Sequence, residues 1–127
     1  MKKILCGAVA VTVVAAIFAL AGGVEEIPPY YEIAVKMGFE DTETQPAEIT
    51  ELTIPGEFSP VYEKYNRLLN ETGYDLLPYR GKKCKKYTYN IPSVNARLNV
   101  IVCNDKIIGG DISAAAIDGI MIPIIKE

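Results

Sequence analysis

Between Lys83 and Val102 apolar residues fall on every second position, and the phase of that alternation inverts once. From Lys83 to Ile91 the odd positions Tyr87, Tyr89 and Ile91 are apolar, while Lys86, Thr88 and Asn90 are polar. From Val94 to Val102 the even positions Val94, Ala96, Leu98, Val100 and Val102 are apolar. A period of two marks a strand with one face on a core, so these are two half-buried strands. The pleat fixes their register, because a slip of one residue turns every apolar side chain to water. A turn at Pro92 to Asn95 sets Ile91 opposite Ala96, Tyr89 opposite Leu98 and Tyr87 opposite Val100. The same register brings Cys84 and Cys103, both on the polar face, directly opposite each other.

Asn104-Asp105 makes the next turn and Lys106 to Ile112 the third strand of the meander, where Gly109-Gly110 allows a bulge or a close backbone approach. Upstream, Pro28-Pro29 before Tyr30 to Met37 and Gly38 after it predict a short helix. Ile49 to Ile54 is rich in β-branched residues and stops at Pro55-Gly56, which predicts a strand. Pro60 to Thr72 carries a helix pattern: Ser59 as N-cap, Pro60 at the first position, Gly73 past the end, and Val61, Tyr62, Tyr65, Leu68 and Leu69 recurring at spacings of three and four. The expected fold class is α+β: a membrane or signal helix, then helix, strand, helix, and a three-stranded antiparallel meander forming one small sheet packed on helices on one face. The tail Ala114 to Ile125 is too apolar to stay in water, so it is expected to fold back on the core or to meet a partner.

No charge lies between Lys3 and Glu25. As a helix the run Ile4 to Val24 is roughly 31 Å long, which matches a hydrocarbon core of about 30 Å. Lys2 and Lys3 before it and Glu25 and Glu26 after it place the N-terminus in the cytoplasm and the C-terminus outside. The same residues read as a secretory signal with Ala19-Leu20-Ala21 as a small-x-small cleavage site before Gly22. Two localisations therefore stand: a single-pass membrane protein held by Ile4 to Val24, or a protein secreted after cleavage near Ala21. Residues 1–24 are the anchor or signal, 25–29 a linker, and 30–127 one extracytoplasmic domain, since about a hundred residues support one core and not two.

The pattern Tyr65-Asn66, Gly73-Tyr74-Asp75-Leu76, Tyr79-Arg80-Gly81-Lys82, Tyr87-Thr88-Tyr89 and Ile107-Ile108-Gly109-Gly110-Asp111-Ile112 resembles a family of small exported or membrane-anchored proteins of Gram-positive bacteria, the domain of unknown function 4830. The resemblance spans roughly Ile54 to Met121. Tyr30 to Phe39 is also similar to the family's opening, with Gly38-Phe39 where an aromatic-rich turn is expected. It implies an exported bacterial protein and no activity, so it carries no catalytic role to any position here.

Histidine is absent, which removes the commonest general base and the commonest zinc ligand. No catalytic, cofactor-binding or metal-ligating residue is assigned, and no cofactor is expected. The net charge is −3, with an acidic first half and a basic knot at Arg80, Lys82, Lys83, Lys85 and Lys86; the simplest explanation is that the two halves complement each other across the fold. Strand alternation splits those lysines between two faces, which fits a solvated sheet edge that discourages aggregation at least as well as an anion-binding patch. Tyr74 and Tyr79, in the loop after the long helix, join Arg80, Lys82 and Lys86 as candidate surface contacts for an envelope protein or an anionic polymer. Nucleic acid is not an expected partner of an exported acidic chain, and the oligomeric state is open. Cys84 and Cys103 are a candidate disulfide in an oxidising exterior. Asp75, Asp111 and Asp118 are the candidate polar site of the alternative reading, a small carboxylate-dependent hydrolase. The leading expectation is a non-catalytic extracytoplasmic binding or interaction module of the cell envelope.

Overall fold

In the computed structural model, which describes residues 26–114 and 119–126, the alternating segments form the hairpin that their pattern requires. The elements in chain order are α1 (Glu32–Lys36), β1 (Glu48–Thr53), α2 (Pro60–Asn70), β2 (Lys83–Ile91), β3 (Ala96–Cys103), β4 (Lys106–Ala114) and β5 (Met121–Pro123). Ile91 faces Ala96, Tyr89 faces Leu98 and Tyr87 faces Val100, the register that buries one face of both strands. Asn104 and Asp105 both take positive φ, 51° and 63°; a two-residue turn needs this for its twist to match that of the flanking strands.

The expected three-stranded meander is corrected by the structure. The sheet has five strands in the order β1-β2-β3-β4-β5, every adjacent pair antiparallel. β1 lies along the outer side of β2, with Ile49 opposite Tyr87 and Glu51 opposite Lys85. The acidic first half and the basic knot thus meet as neighbouring strands, where opposite charges stabilise a cross-strand pair. At the other edge β5 is made from the tail, Ile112 facing Ile122.

The helices also lie on opposite faces of the sheet and not on one. Tyr30, just before α1, meets Tyr87 with ring centroids 5.0 Å apart, and Tyr87 points to the face of Tyr89, Leu98 and Val100. Tyr65 of α2 bonds Asp111, whose neighbours Asn99 and Thr88 point the other way. A second layer on the polar face explains why Cys84, Thr88, Ile101, Cys103 and Asp111 are buried there. α2 sits close because β4 offers it glycine: a Cβ on Gly109 would stand 2.7 Å from Leu69 Cδ1. Pairing shifts by one residue between Ile101 and Val102, so Ile108 is the extra residue of a β-bulge beside that glycine pair.

The Ser59 hydroxyl accepts from the Tyr62 N–H at 3.2 Å, Pro60 opens α2 and Gly73 follows it at φ 99°. Ser59→Ala is expected to cost about 1 kcal/mol, read as a shift in the urea midpoint with an unchanged slope. The described part of the tail folds back on the domain. Ile124 is fully buried, its N–H donates to the Gly110 carbonyl and its own carbonyl accepts from the Thr72 hydroxyl at 2.7 Å. No helix among the described residues is long and apolar enough to cross a membrane; the run Ile4 to Val24 and Asp118 lie outside them.

Candidate functional site

Three groups of polar residues meet the two helices and the sheet, and they differ in whether anything is left open to solvent. The first is buried between α2 and β4. Asp111 is 4% exposed; its Oδ2 accepts from the Tyr65 hydroxyl at 2.6 Å and its Oδ1 from Asn99 Nδ2 at 3.1 Å and from the Ser113 hydroxyl. Thr88 donates in turn to Asn99 Oδ1 at 2.9 Å. Both carboxylate oxygens therefore have donors. Tyr65 is half-buried as a residue with its hydroxyl at the enclosed end; burial first, and the Asp111 carboxylate second, push its phenol far above the ordinary range. The main work of Asp111 is to join helix to sheet.

The second group organises the loop after α2. Asn66, buried in the helix, donates to Asp75 Oδ1 at 2.9 Å and accepts from the Leu76 N–H at 2.7 Å. Asp75 Oδ1 also accepts from the Leu77 N–H at 3.0 Å, and these bonds, Asn66's first, hold its carboxyl below the ordinary carboxylate range. Asp75 and Asp111 have separate donors, and Asp118 lies outside the described residues. Among the described residues no cluster of three or more Cys, Asp or Glu side chains is placed to hold a metal ion.

The third group is open. A groove of about 540 Å³ runs beside α2, with Phe58, Glu63, Arg67 and Asn70 on one wall and Leu77 and Arg80 on the other. Phe58 is braced by Tyr62, ring centroids 5.2 Å apart, which is where the aromatic before the cap packs. Arg80 Nε donates to the Leu77 carbonyl at 3.1 Å and Asn70 Nδ2 to the Tyr74 carbonyl at 2.6 Å, so both sides of the loop are tied down. Leu77 is 44% exposed in the open part. A smaller hollow of about 330 Å³ lies at the opposite end of the sheet, near Glu43, Pro92 and Arg97.

The proposed surface residues divide accordingly. Arg80 and Lys82 are exposed, and Tyr79 and Lys86 are half-buried. Tyr74 is buried at 6% exposure, with the Lys126 ammonium 5.7 Å from its ring centroid, and so faces the tail instead of solvent. The lysines of β2 are not on a sheet edge, because β1 covers that strand. Cys84 and Cys103 are both buried free thiols. The sequence singles out Phe58 only as a packing residue before the helix cap and does not mark Glu63 or Arg67 as surface contacts; the signal was present in the spacing of Glu63, Arg67 and Asn70, which places them along one helix stripe. Comparison with protein-family models, curated proteins and solved structures returned no match.

Proposed function

We propose that this chain is a non-catalytic extracytoplasmic binding module, held at the membrane or released from it, whose α2 groove receives a segment of an envelope protein. The observation that carries the reading is the contrast between the sealed Asp111 cluster and the open groove. Asp111 is enclosed and its carboxylate oxygens are taken up by donors within the protein, whereas Arg67, Arg80 and Glu63 reach an open, partly apolar channel. Guanidinium groups beside exposed apolar side chains are the composition in which interface energy concentrates. The groove carries both signs, and Glu63 opposes a uniformly anionic polymer; a polypeptide segment carrying both signs fits it better. Export is supported by Lys2-Lys3, the uncharged run that follows and the Ala19-Leu20-Ala21 site.

The test places a photo-crosslinking amino acid at Leu77 or at Val94 of the full chain in intact cells. Both positions are exposed, 44% and 48%, but only Leu77 lines the α2 groove. A discrete adduct from Leu77, reduced about tenfold by Arg67→Glu with Arg80→Glu, is the expected result. Equal capture from both positions, or capture indifferent to the two arginines, would sink the groove as the binding site.

A further inference from the structure

Cys84 and Cys103 are brought together by the sheet in a way that the strand pattern alone does not express. Lys85 faces Val102, so the next step of the register sets Cys84 against Cys103, across the two strands and on the face covered by α2. The hydrogen-bonding phase of this pair follows from the backbone on both sides. The carbonyls of Lys82, Thr88 and Asn90 accept from Ile54, Ala47 and Glu43, so even-numbered residues of β2 turn their backbone groups towards β1. Cys103 and Lys106 flank the two-residue turn at Asn104-Asp105, so Cys103 turns its backbone groups towards β4. Cys84 and Cys103 are therefore a non-hydrogen-bonded pair, the type in which antiparallel strands bring Cα atoms to about 4.5 Å and side chains closest. That separation lies within the Cα range of a disulfide, about 4.4–6.8 Å. Both thiols lie at the same end of the strand pair: Cys84 Sγ donates to the Lys82 carbonyl at 3.8 Å, and Cys103 Sγ reaches across to the carbonyl of Lys83, the residue before Cys84, at 3.7 Å.

We propose that Cys84 and Cys103 form a cross-strand disulfide that locks β2 to β3 in the mature protein, the oxidant being a disulfide-bearing protein or small molecule outside the cytoplasm. The oxidant's location rests on the export reading above; the pairing does not. In the exchange, one cysteine thiolate attacks a sulfur of the donor disulfide, forming a mixed disulfide and releasing the donor's first thiol. The second cysteine attacks the protein sulfur of that mixed bond, closing the Cys84 to Cys103 bond and expelling the donor's second thiol. The protein loses two protons and two electrons, and the donor gains both. The exchange belongs to folding, before α2 closes over the pair: Cys84 is 5% exposed and Cys103 3%, and burial raises the Cys84 thiol well above its ordinary range, which leaves little thiolate to attack anything once the helix is in place.

The experiment uses the full chain with Cys6→Ser, which leaves these two as its remaining cysteines. Denatured protein is reduced and then refolded with oxidised glutathione, and the product is alkylated under denaturing conditions and weighed. The expected product is lighter by two hydrogens, takes no alkyl group before reduction and two after it, and melts about 10 °C or more above the reduced form. Cys84→Ser and Cys103→Ser controls should show no such gain. A refolded product with two alkylatable thiols, or one capped by two glutathiones, overturns the pairing. Protein taken directly from cells separates the two claims: a closed bond there supports both, and a bond that closes in the tube but is open in cells overturns the exported oxidant alone.

Discussion

Gly110→Ala is expected to destabilise the domain by about 3 kcal/mol or more, a large share of the roughly 5–15 kcal/mol that holds a domain of this size together. A Cβ at that position would lie 2.3 Å from the Asn99 carbonyl oxygen and 3.2 Å from Val100 Cα. Both atoms belong to the backbone of β3, which is paired on its far side to β2 and cannot withdraw without breaking the hairpin. The third neighbour, Ile124 Cδ1 at 3.0 Å, belongs to the fully buried anchor of the tail, so the methyl group also pushes out the segment that seals that face. Gly109→Ala is the internal comparison. There the near atoms are Leu69 Cδ1 at 2.7 Å and Leu76 Cδ2 at 3.4 Å, the ends of side chains that can rotate, and a cost of about 1–2 kcal/mol is expected. Denaturant titration of the two variants gives the ordering directly. Gly110→Ala coming out the milder of the two would mean that β3 and β4 pair in another register.

The parts of this fold that were legible in the sequence are those with a local cause. The β2–β3 register follows from parity and one turn, and the α2 cap from Ser59 and Pro60, because each depends on residues adjacent in the chain. What local pattern does not express is the partner of a strand. Ile49 to Ile54 carries the composition of a strand, but its alternation is imperfect, with Ile49 and Leu52 on opposite faces; that irregularity is what an edge strand between two partly covered faces looks like. Its match to β2 was visible only as charge, Glu51 for Lys85, and charge complementarity has no register of its own. The polar face of the meander misled for a related reason. Cys84 and Thr88 fall on the polar face of the alternation, yet α2 covers that face, where Thr88 joins Asn99 and Asp111 in hydrogen bonds made within the protein. Two covered faces, one apolar and one with a polar cluster at its centre, give the same alternation as one covered face.

Asp111→Ala is expected to cost about 3 kcal/mol, because it leaves the Tyr65 hydroxyl, Asn99 Nδ2 and Ser113 hydroxyl without their acceptor at once. Each buried donor left unmade is worth about 1–3 kcal/mol. Two effects pull the sum down: Ser113 is half-buried and recovers water, and removing the carboxylate relieves the desolvation of a charge whose donors are all neutral. The loss should fall on the docking of α2, since Tyr65 is the helix's tie to β4. The alkaline limb of the stability curve tests this arrangement without unfolding the protein by mutation. An unfolded tyrosine loses its proton near pH 10.0, whereas folded Tyr65 and the fully buried Tyr89 hold theirs well above it. Above that pH the folded state binds more protons than the unfolded one. Stability is therefore fully present below the unfolded value and falls as pH rises beyond it, by about 1.4 kcal/mol per pH unit for each such tyrosine. Tyr65→Phe should remove one tyrosine's share of that slope while leaving Tyr89's. An unchanged slope would mean that the Tyr65 hydroxyl is open to water in solution, and with it that α2 does not seal the Asp111 cluster; the contrast between a closed polar centre and an open groove would then lose its basis.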